Sequence, residues 1–273
     1  MADNENIHLH VPFVDANEIE YYFSQSPIEN AARVWPFHVH DRIELYILLE
    51  GDVSFAVESS LYKLSPGDAI VTKPNEIHNC ILNSRSVHRH MCFWFDHSSE
   101  FLFGDFISHN FGENNLIVPS DEAKTKLLDV YKRLYDASAQ RDVYAQHHLI
   151  LELLCIFRRF VSGGAPSEQM PAVLCDILDD IDKNFKTVRS LDHFTENYYV
   201  SASTLNRLFK RYLRTTPKMY IESKRLAYSR QLLKNGKSVL SACMEAGFPD
   251  YSNYIRLFKR RFDITPNQYK NSK

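Results

Sequence analysis

The chain has 273 residues, of which 44% are hydrophobic and 24% charged, and its net charge is −2. That usage excludes a disordered or fibrous protein, and at roughly 100–200 residues per domain the length predicts two domains. The small net charge hides a split: residues 1–171 hold 13 basic and 24 acidic side chains (−11), residues 172–273 hold 19 and 10 (+9).

A split of this size points to one part that faces a polyanion and one that does not. The first residues, MADNENIHLH, lack a basic region followed by an apolar core, so no secretory signal is expected. No stretch approaches the roughly 20 apolar residues of a membrane span. The five cysteines (Cys80, Cys92, Cys155, Cys175, Cys243) are widely spaced and form no CxxC pair. They are expected to be reduced thiols, mostly buried, in a cytoplasmic protein.

Residues 43–49, 53–57, 68–72 and 90–95 alternate or run in short apolar bursts and predict strands. Glu50-Gly51-Asp52, Ser65-Pro66-Gly67-Asp68 and Pro74-Asn75 punctuate them as turns. Short strands at this spacing predict an all-β sandwich or barrel. Within it lie His38, His40, Glu44 and His78. Residues of even offset share a strand face, so His38 and His40 point together. Glu44 has the same parity, but four residues of straight strand span about 13 Å, so one ion could reach both ends only if the chain bends near Asp41-Arg42. Three imidazoles and a carboxylate suit a divalent transition metal rather than Ca or Mg. The same residues would also suit a metal-free pocket for a small polar molecule, and the sequence leaves both open. His88 and His90 share a face without a carboxylate and are expected at the surface or rim.

This segment resembles the cupin superfamily. Its first motif is matched by His38-Val39-His40, Glu44 and Gly51, and its second by Gly67, Pro74 and His78. The glycine that usually precedes His38 is absent, and the second glycine of the second motif is replaced. The resemblance covers about residues 30–97 and implies a double-stranded β-helix barrel with an internal pocket.

After Pro119 the apolar period changes to that of helices, over residues 121–137 and 143–161, with Ser120 as a cap for the first. Apolar residues at 143, 150 and 157 and at 153 and 160 are spaced by seven, which fits either a seam between two copies or packing on the chain's own barrel. Residues 162–171, with Gly163-Gly164 and Pro166, read as a flexible link.

The last hundred residues contain a repeat at an offset of 49. STLNRLFKRYLRTTPKMY (203–220) and SNYIRLFKRRFDITPNQY (252–269) agree at nine of eighteen positions. In the first copy Leu205, Leu208, Phe209 and Tyr212 form an apolar side, opposite a stripe of Ser203, Asn206, Arg207 and Lys210. In the second, Tyr254, Leu257, Phe258 and Phe262 face inward, and Ser252, Ile255, Arg256 and Lys259 face outward. Short helices at 191–197 and 239–245 precede tight turns, and Ser201 and Asp250 are the expected N-caps of the second helices. Helix, turn and amphipathic helix with a basic outer stripe is a helix-turn-helix unit. A joining helix over residues 217–234 would span about 27 Å, close to the ~34 Å of one DNA turn, so two reading helices can enter successive major grooves.

This half closely resembles the AraC/XylS family of bacterial transcription regulators. The likeness rests on Ser190-Leu191, Val200-Ser201, Arg207-Leu208-Phe209-Lys210, Pro217, Arg225-Leu226, Gly247-Phe248, Asp250, Phe258-Lys259 and Thr265-Pro266. It implies that Ser203, Asn206 and Arg207 read bases in one groove and Tyr251, Ser252, Ile255 and Arg256 in the next. Lys210, Arg211 and Lys259 suit phosphates. Arg214 and Asp263 stand where the family has glycine after each reading helix.

The expected architecture is therefore an all-β cupin barrel followed by two helices (residues 1–161), a linker (162–171) and an all-α domain with two helix-turn-helix units (172–273). The expected function is that of a DNA-binding transcriptional regulator, an activator by family habit and not an enzyme. It would respond to a small polar effector, expected to be a sugar, held in the barrel at His38, His40, Glu44 and His78. Double-stranded DNA, a second copy of the chain and RNA polymerase are the implied partners, with no membrane. No cofactor is required, though the barrel residues could hold a metal. The competing readings are a metal-dependent cupin enzyme or metal sensor fused to a DNA-binding domain, and a constitutive regulator whose barrel only dimerises.

Overall fold

The computed structural model describes residues 7–12, 18–26, 37–40, 42–84, 86–96, 102–108, 110–159, 161–164 and 170–271. The chain divides into two compact units, residues 1–35 with 41–169 and residues 36–40 with 170–273. Among the described residues no helix is long and apolar enough to cross a membrane.

The first unit is all-β and then helical, as expected. Its strands are β1 (Ile7–Pro12), β2 (Glu18–Ser26), β3 (Ile43–Glu50), β4 (Val53–Val57), β5 (Ser60–Leu64), β6 (Ala69–Thr72), β7 (His78–Leu82), β8 (His88–Phe95), β9 (Leu116–Pro119) and β10 (Val161–Gly164). They form a seven-stranded sheet, ordered β1-β2-β8-β3-β6-β9-β10, and a three-stranded sheet, β5-β4-β7. The part of the expected linker over residues 162–164 thus lies in β10, paired with β9; residues 165–169 lie outside the described residues.

Strand β3 is buried on both faces, which explains its run of apolar residues without strict alternation. Parity still sorts its side chains. Ile43, Leu45 and Ile47 belong to one core, shared with Phe93 and Phe95 of β8 and with two helices, α1 (Asp121–Ala139) and α2 (Val143–Arg159). Tyr46 and Leu48 belong to a second core between the sheets, with Val53, Phe55 and Val57 of β4.

Ser120 caps α1, its Oγ accepting from the Ala123 amide at 3.3 Å. On α2, Ile150, Leu153 and Phe157 are buried in the barrel-side core beside Leu127, Val130 and Leu134 of α1. Burial of each such side chain is worth about 1.5–3 kcal/mol. Within this chain the sevenfold spacing therefore serves packing on the barrel. Val143 of that pattern is 38% exposed, and Phe160 lies outside the described residues.

The second unit is helical: α3 (Ala172–Asn184), α4 (Asp192–Asn197), α5 (Ala202–Leu208), α6 (Pro217–Lys234), α7 (Val239–Glu245), α8 (Tyr251–Phe262) and α9 (Pro266–Asn271). Pro217 opens α6, where a missing amide proton costs nothing, and Thr216 caps it. The two repeat copies differ in winding. After α5 the chain continues as a π-helical turn over Phe209–Leu213, whereas α8 is regular throughout. Leu213 is buried and Tyr212 half-buried, a correction to the apolar side expected from the sequence; Leu213 takes the place that Phe262 has in the second copy.

Candidate effector pocket and nucleic-acid interface

The barrel residues are organised around Glu44. It lies opposite Thr72 of β6 and Trp94 of β8, and directly paired residues share a face. Trp94 Nε1 donates to Glu44 Oε2 at 2.7 Å, and His78 Nε2 approaches the same oxygen at 3.4 Å. His78 is fully buried, and its Nδ1–H donates to the Glu76 carbonyl at 2.9 Å. That bond turns Nε2 toward Glu44. Burial opposes charge on His78, but neighbouring Glu44 outweighs it and holds the imidazole above the ordinary histidine range.

The chain bends at Arg42 before β3 begins, and Asp41 lies outside the described residues. His38 and His40 belong to the stretch Pro36–His40, which groups with the second unit, whereas Glu44 and His78 belong to the first. His38 and His40 are half-buried, with ring centroids 5.9 Å apart. Glu44 and His78, a carboxylate and an imidazole each oriented by an outer partner, are of a type that suits a divalent transition metal.

A second polar cluster lies deeper on the same inner face, and no motif announced it. Tyr46 pairs with Cys92 on β8, and its hydroxyl shares a 2.7 Å hydrogen bond with His88 Nε2. The Cys80 thiol donates to the same hydroxyl at 3.7 Å. The rings of His88 and His90 stack at 4.5 Å. The expectation of surface or rim histidines is corrected: His88 is only 6% exposed, and burial lowers it to about 4 and His90 to about 3. The lone sequence signal was parity, since both histidines share a face with the Tyr46 side of β3. Of the cysteines, Cys92 and Cys243 are buried, Cys80 and Cys175 half-buried and Cys155 exposed, all of them free thiols.

In the helical unit, both predicted caps are present. Ser201 Oγ accepts from the Thr204 amide at 3.1 Å, and the Asp250 carboxylate accepts from the Asn253 amide. They start α5 and α8 at corresponding positions of the repeat. Leu205, Phe209, Tyr254, Leu257 and Phe258 are buried, which turns the opposite stripe outward. Ser203, Arg207, Lys210 and Arg211 are exposed in the first copy, and Tyr251, Ser252, Arg256 and Lys259 in the second; Asn206 and Ile255 are half-buried. The Asn206 amide donates to the Ala202 carbonyl at 2.8 Å, which leaves its second N–H and its oxygen for a base. Arg256 is steered by Asn253, whose Oδ1 accepts from Nη2 at 2.8 Å.

The residues after the reading helices answer the question raised by the missing glycines. Arg214 and Asp263 both adopt the left-handed conformation, with φ of 51° and 60°. The helix-turn-helix turns differ as well. Tyr199 is left-handed (φ 52°) in the first and Gly247 (φ 84°) in the second, and Pro249 gives the second turn one more residue before its cap.

A helix-turn-helix domain profile matches residues 195–272, and a cupin domain profile matches residues 28–92. The chain is 25% identical over 275 residues to the virulence regulon transcriptional activator VirF of Yersinia enterocolitica, covering 90% of this chain and 95% of that protein. The chain is similar to transcriptional regulators of the AraC family. The HTH-type transcriptional activator RhaR of Mannheimia succiniciproducens is 20% identical over 260 residues, with 92% of this chain and 94% of that protein covered. Among solved structures, unsaturated fatty acid bound ToxT from Vibrio cholerae aligns over 99% of this chain and 97% of its own, at 12% identity and a TM-score of 0.38. The curated relatives are transcriptional regulators, not enzymes.

Proposed function

We propose that this chain is an AraC-family regulator, a ligand-responsive transcriptional activator of the cytoplasm. Residues 1–161 would bind the effector and dimerise, 162–171 link, and 172–273 bind DNA. The carrying observation is the duplicated unit, in which two capped helices bury the same apolar positions and leave Ser203, Asn206, Arg207, Tyr251, Ser252, Ile255 and Arg256 on the other side. Arg can grip two acceptors of guanine and Asn those of adenine, while Lys210, Arg211 and Lys259 hold phosphates. A small polar effector, a sugar by preference, would bind among His38, His40, Glu44 and His78. It can switch the protein only if its affinity differs between two states of the chain. A second copy and RNA polymerase are the protein partners in this reading.

The test uses the full chain and a selected operator. Arg207→Ala and Arg256→Ala should each weaken cognate binding by about 1–3 kcal/mol and relax preference at one base pair. Wild-type affinity and selectivity in both variants would refute the assignment of the reading helices.

A metal-sensing barrel is the second reading, favoured by the approach of His78 Nε2 to Glu44 Oε2 at 3.4 Å and by the ligand chemistry of His38 and His40. Mass spectrometry of the intact protein should then find about one transition metal per chain, absent after His38→Ala. A metal-free wild type, with a sugar that raises its melting temperature, would leave the first reading alone.

A further inference from the structure

Within the helical unit, a cleft of about 370 Å3 runs between the two helix-turn-helix units. One wall is the first half of α6, where Lys218, Glu222 and Arg225 fall on one face at i, i+4 and i+7. The other wall includes Arg189, ahead of α4, and Pro249 and Asn253 at the entry to α8.

The charges in this cleft do not balance. Arg225 is only 8% exposed, and its Nε and Nη2 donate to the carbonyls of Phe185 and Val188. Both acceptors are neutral. Arg189 donates to the Gly247 carbonyl at 2.9 Å, again a neutral acceptor. Among the described residues none of Arg189, Lys218 and Arg225 forms an ion pair, so three cations face the single carboxylate of Glu222. Burial and the nearby Arg189 both work against the charge on Arg225, with Glu222 opposing them. A buried guanidinium without a counter-charge is costly, and an incoming anion relieves that cost.

We propose that this cleft binds a phosphate-class oxyanion, supplied by the DNA backbone between the two major grooves. The choice of DNA as the source rests on the reading-helix assignment above. When two reading helices enter successive major grooves on one face, the intervening minor groove and its flanking phosphates pass between them. The cleft lies between the units, and Asn253 of its lining is in the first turn of α8. Contacts of this kind fix register without reading sequence.

Lys218 is exposed, so Lys218→Gln in the full chain is the probe. Lys183→Gln, exposed on α3 outside the cleft, is the control. Binding to a random-sequence duplex is followed by fluorescence anisotropy at several salt concentrations. Lys218→Gln should lower the slope of log affinity against log salt by about 0.9, a roughly five- to tenfold loss near 0.1 M salt, and Lys183→Gln should not. In parallel, melting temperature is measured with inorganic phosphate, and with sulfate for comparison. A phosphate-dependent rise that Lys218→Gln removes, with an unchanged salt slope, would keep the oxyanion site but assign it to a small phosphate ligand. An unchanged slope together with no phosphate-dependent rise overturns the site, as does an equal slope change in the control. A wild type that fails to bind duplex refutes the DNA reading instead, and the phosphate arm then decides the cleft by itself.

Discussion

Glycine is required at one position of the second turn, and the reason is steric. Gly247 has φ 84°, and a Cβ there would sit 2.1 Å from the Lys186 carbonyl oxygen. Backbone cannot yield as a flexible side chain can. Gly247→Ala should therefore cost about 2–5 kcal/mol, the sum of a left-handed penalty and overpacking, read as a lowered urea midpoint. A loss under about 0.5 kcal/mol would mean that the loop carrying Lys186 moves freely. The corresponding left-handed residue of the first turn, Tyr199, is 95% exposed and meets no such wall. The same conformation is thus obligatory for glycine in one copy and merely strained for tyrosine in the other. Arg225 shows a different residue-scale economy: one guanidinium ties the α3–α4 connection to α6 through two carbonyls.

Among the elements, the two reading helices are alike at their starts and unlike at their ends. Both begin with a side-chain cap, but α5 passes into a π turn and closes on Arg214. The Arg214 amide donates to the Phe209 carbonyl with φ at 51°, and its side chain is exposed. Glycine adopts that conformation without the Cβ clash. Arg214→Gly should raise the stability of the full chain by about 1 kcal/mol, seen as a higher melting temperature of its helical transition. A destabilised variant would show that the π turn depends on Arg214 itself. The helical hairpin of the first unit makes a complementary point. Its heptad-like spacing is satisfied inside the chain by α1 and the sheet. Leu128, Tyr144 and Leu151 remain exposed on α1 and α2.

The whole molecule separates two electrostatic tasks. The acidic first part, at −11, encloses a buried polar interior, while the second, at +9, spreads its positive charge over exposed helices. The interior carries a pH signature. His88, 6% exposed, is lowered to about 4 by burial. Unfolding restores its ordinary value near 6.5, so between those values the unfolded chain binds more protons than the folded one. Stability is full above about pH 6.5 and is lost as pH falls toward 4, by ~3 kcal/mol for this group. Urea titrations followed by tryptophan fluorescence should show that decline from pH 7 to 4.5, and a flatter profile in His88→Leu. Equal pH slopes in both proteins would mean that His88 titrates normally in the fold.

Much of this was legible in the sequence, for reasons that differ by segment. The repeat at an offset of 49, the joining helix over Pro217–Lys234 and the caps Ser120, Ser201 and Asp250 follow from local chemistry, because capping and amphipathic period act within one or two turns. The cupin signature of His38, His40, Glu44 and His78 was likewise readable as a set of residue types at fixed spacing. What local rules could not supply is everything set by partners distant in sequence. Strands β5, β7 and β9 are short, and pairing with β4, β6 and their neighbours defines them rather than their own pattern. Tertiary structure alone put His88 against Tyr46, 42 residues away, and so turned an expected rim residue into a buried neutral one. It also decided that Arg225, a basic residue on a surface-like helix, is buried against the carbonyls of Phe185 and Val188, because burial depends on which elements meet and not on what precedes or follows along the chain.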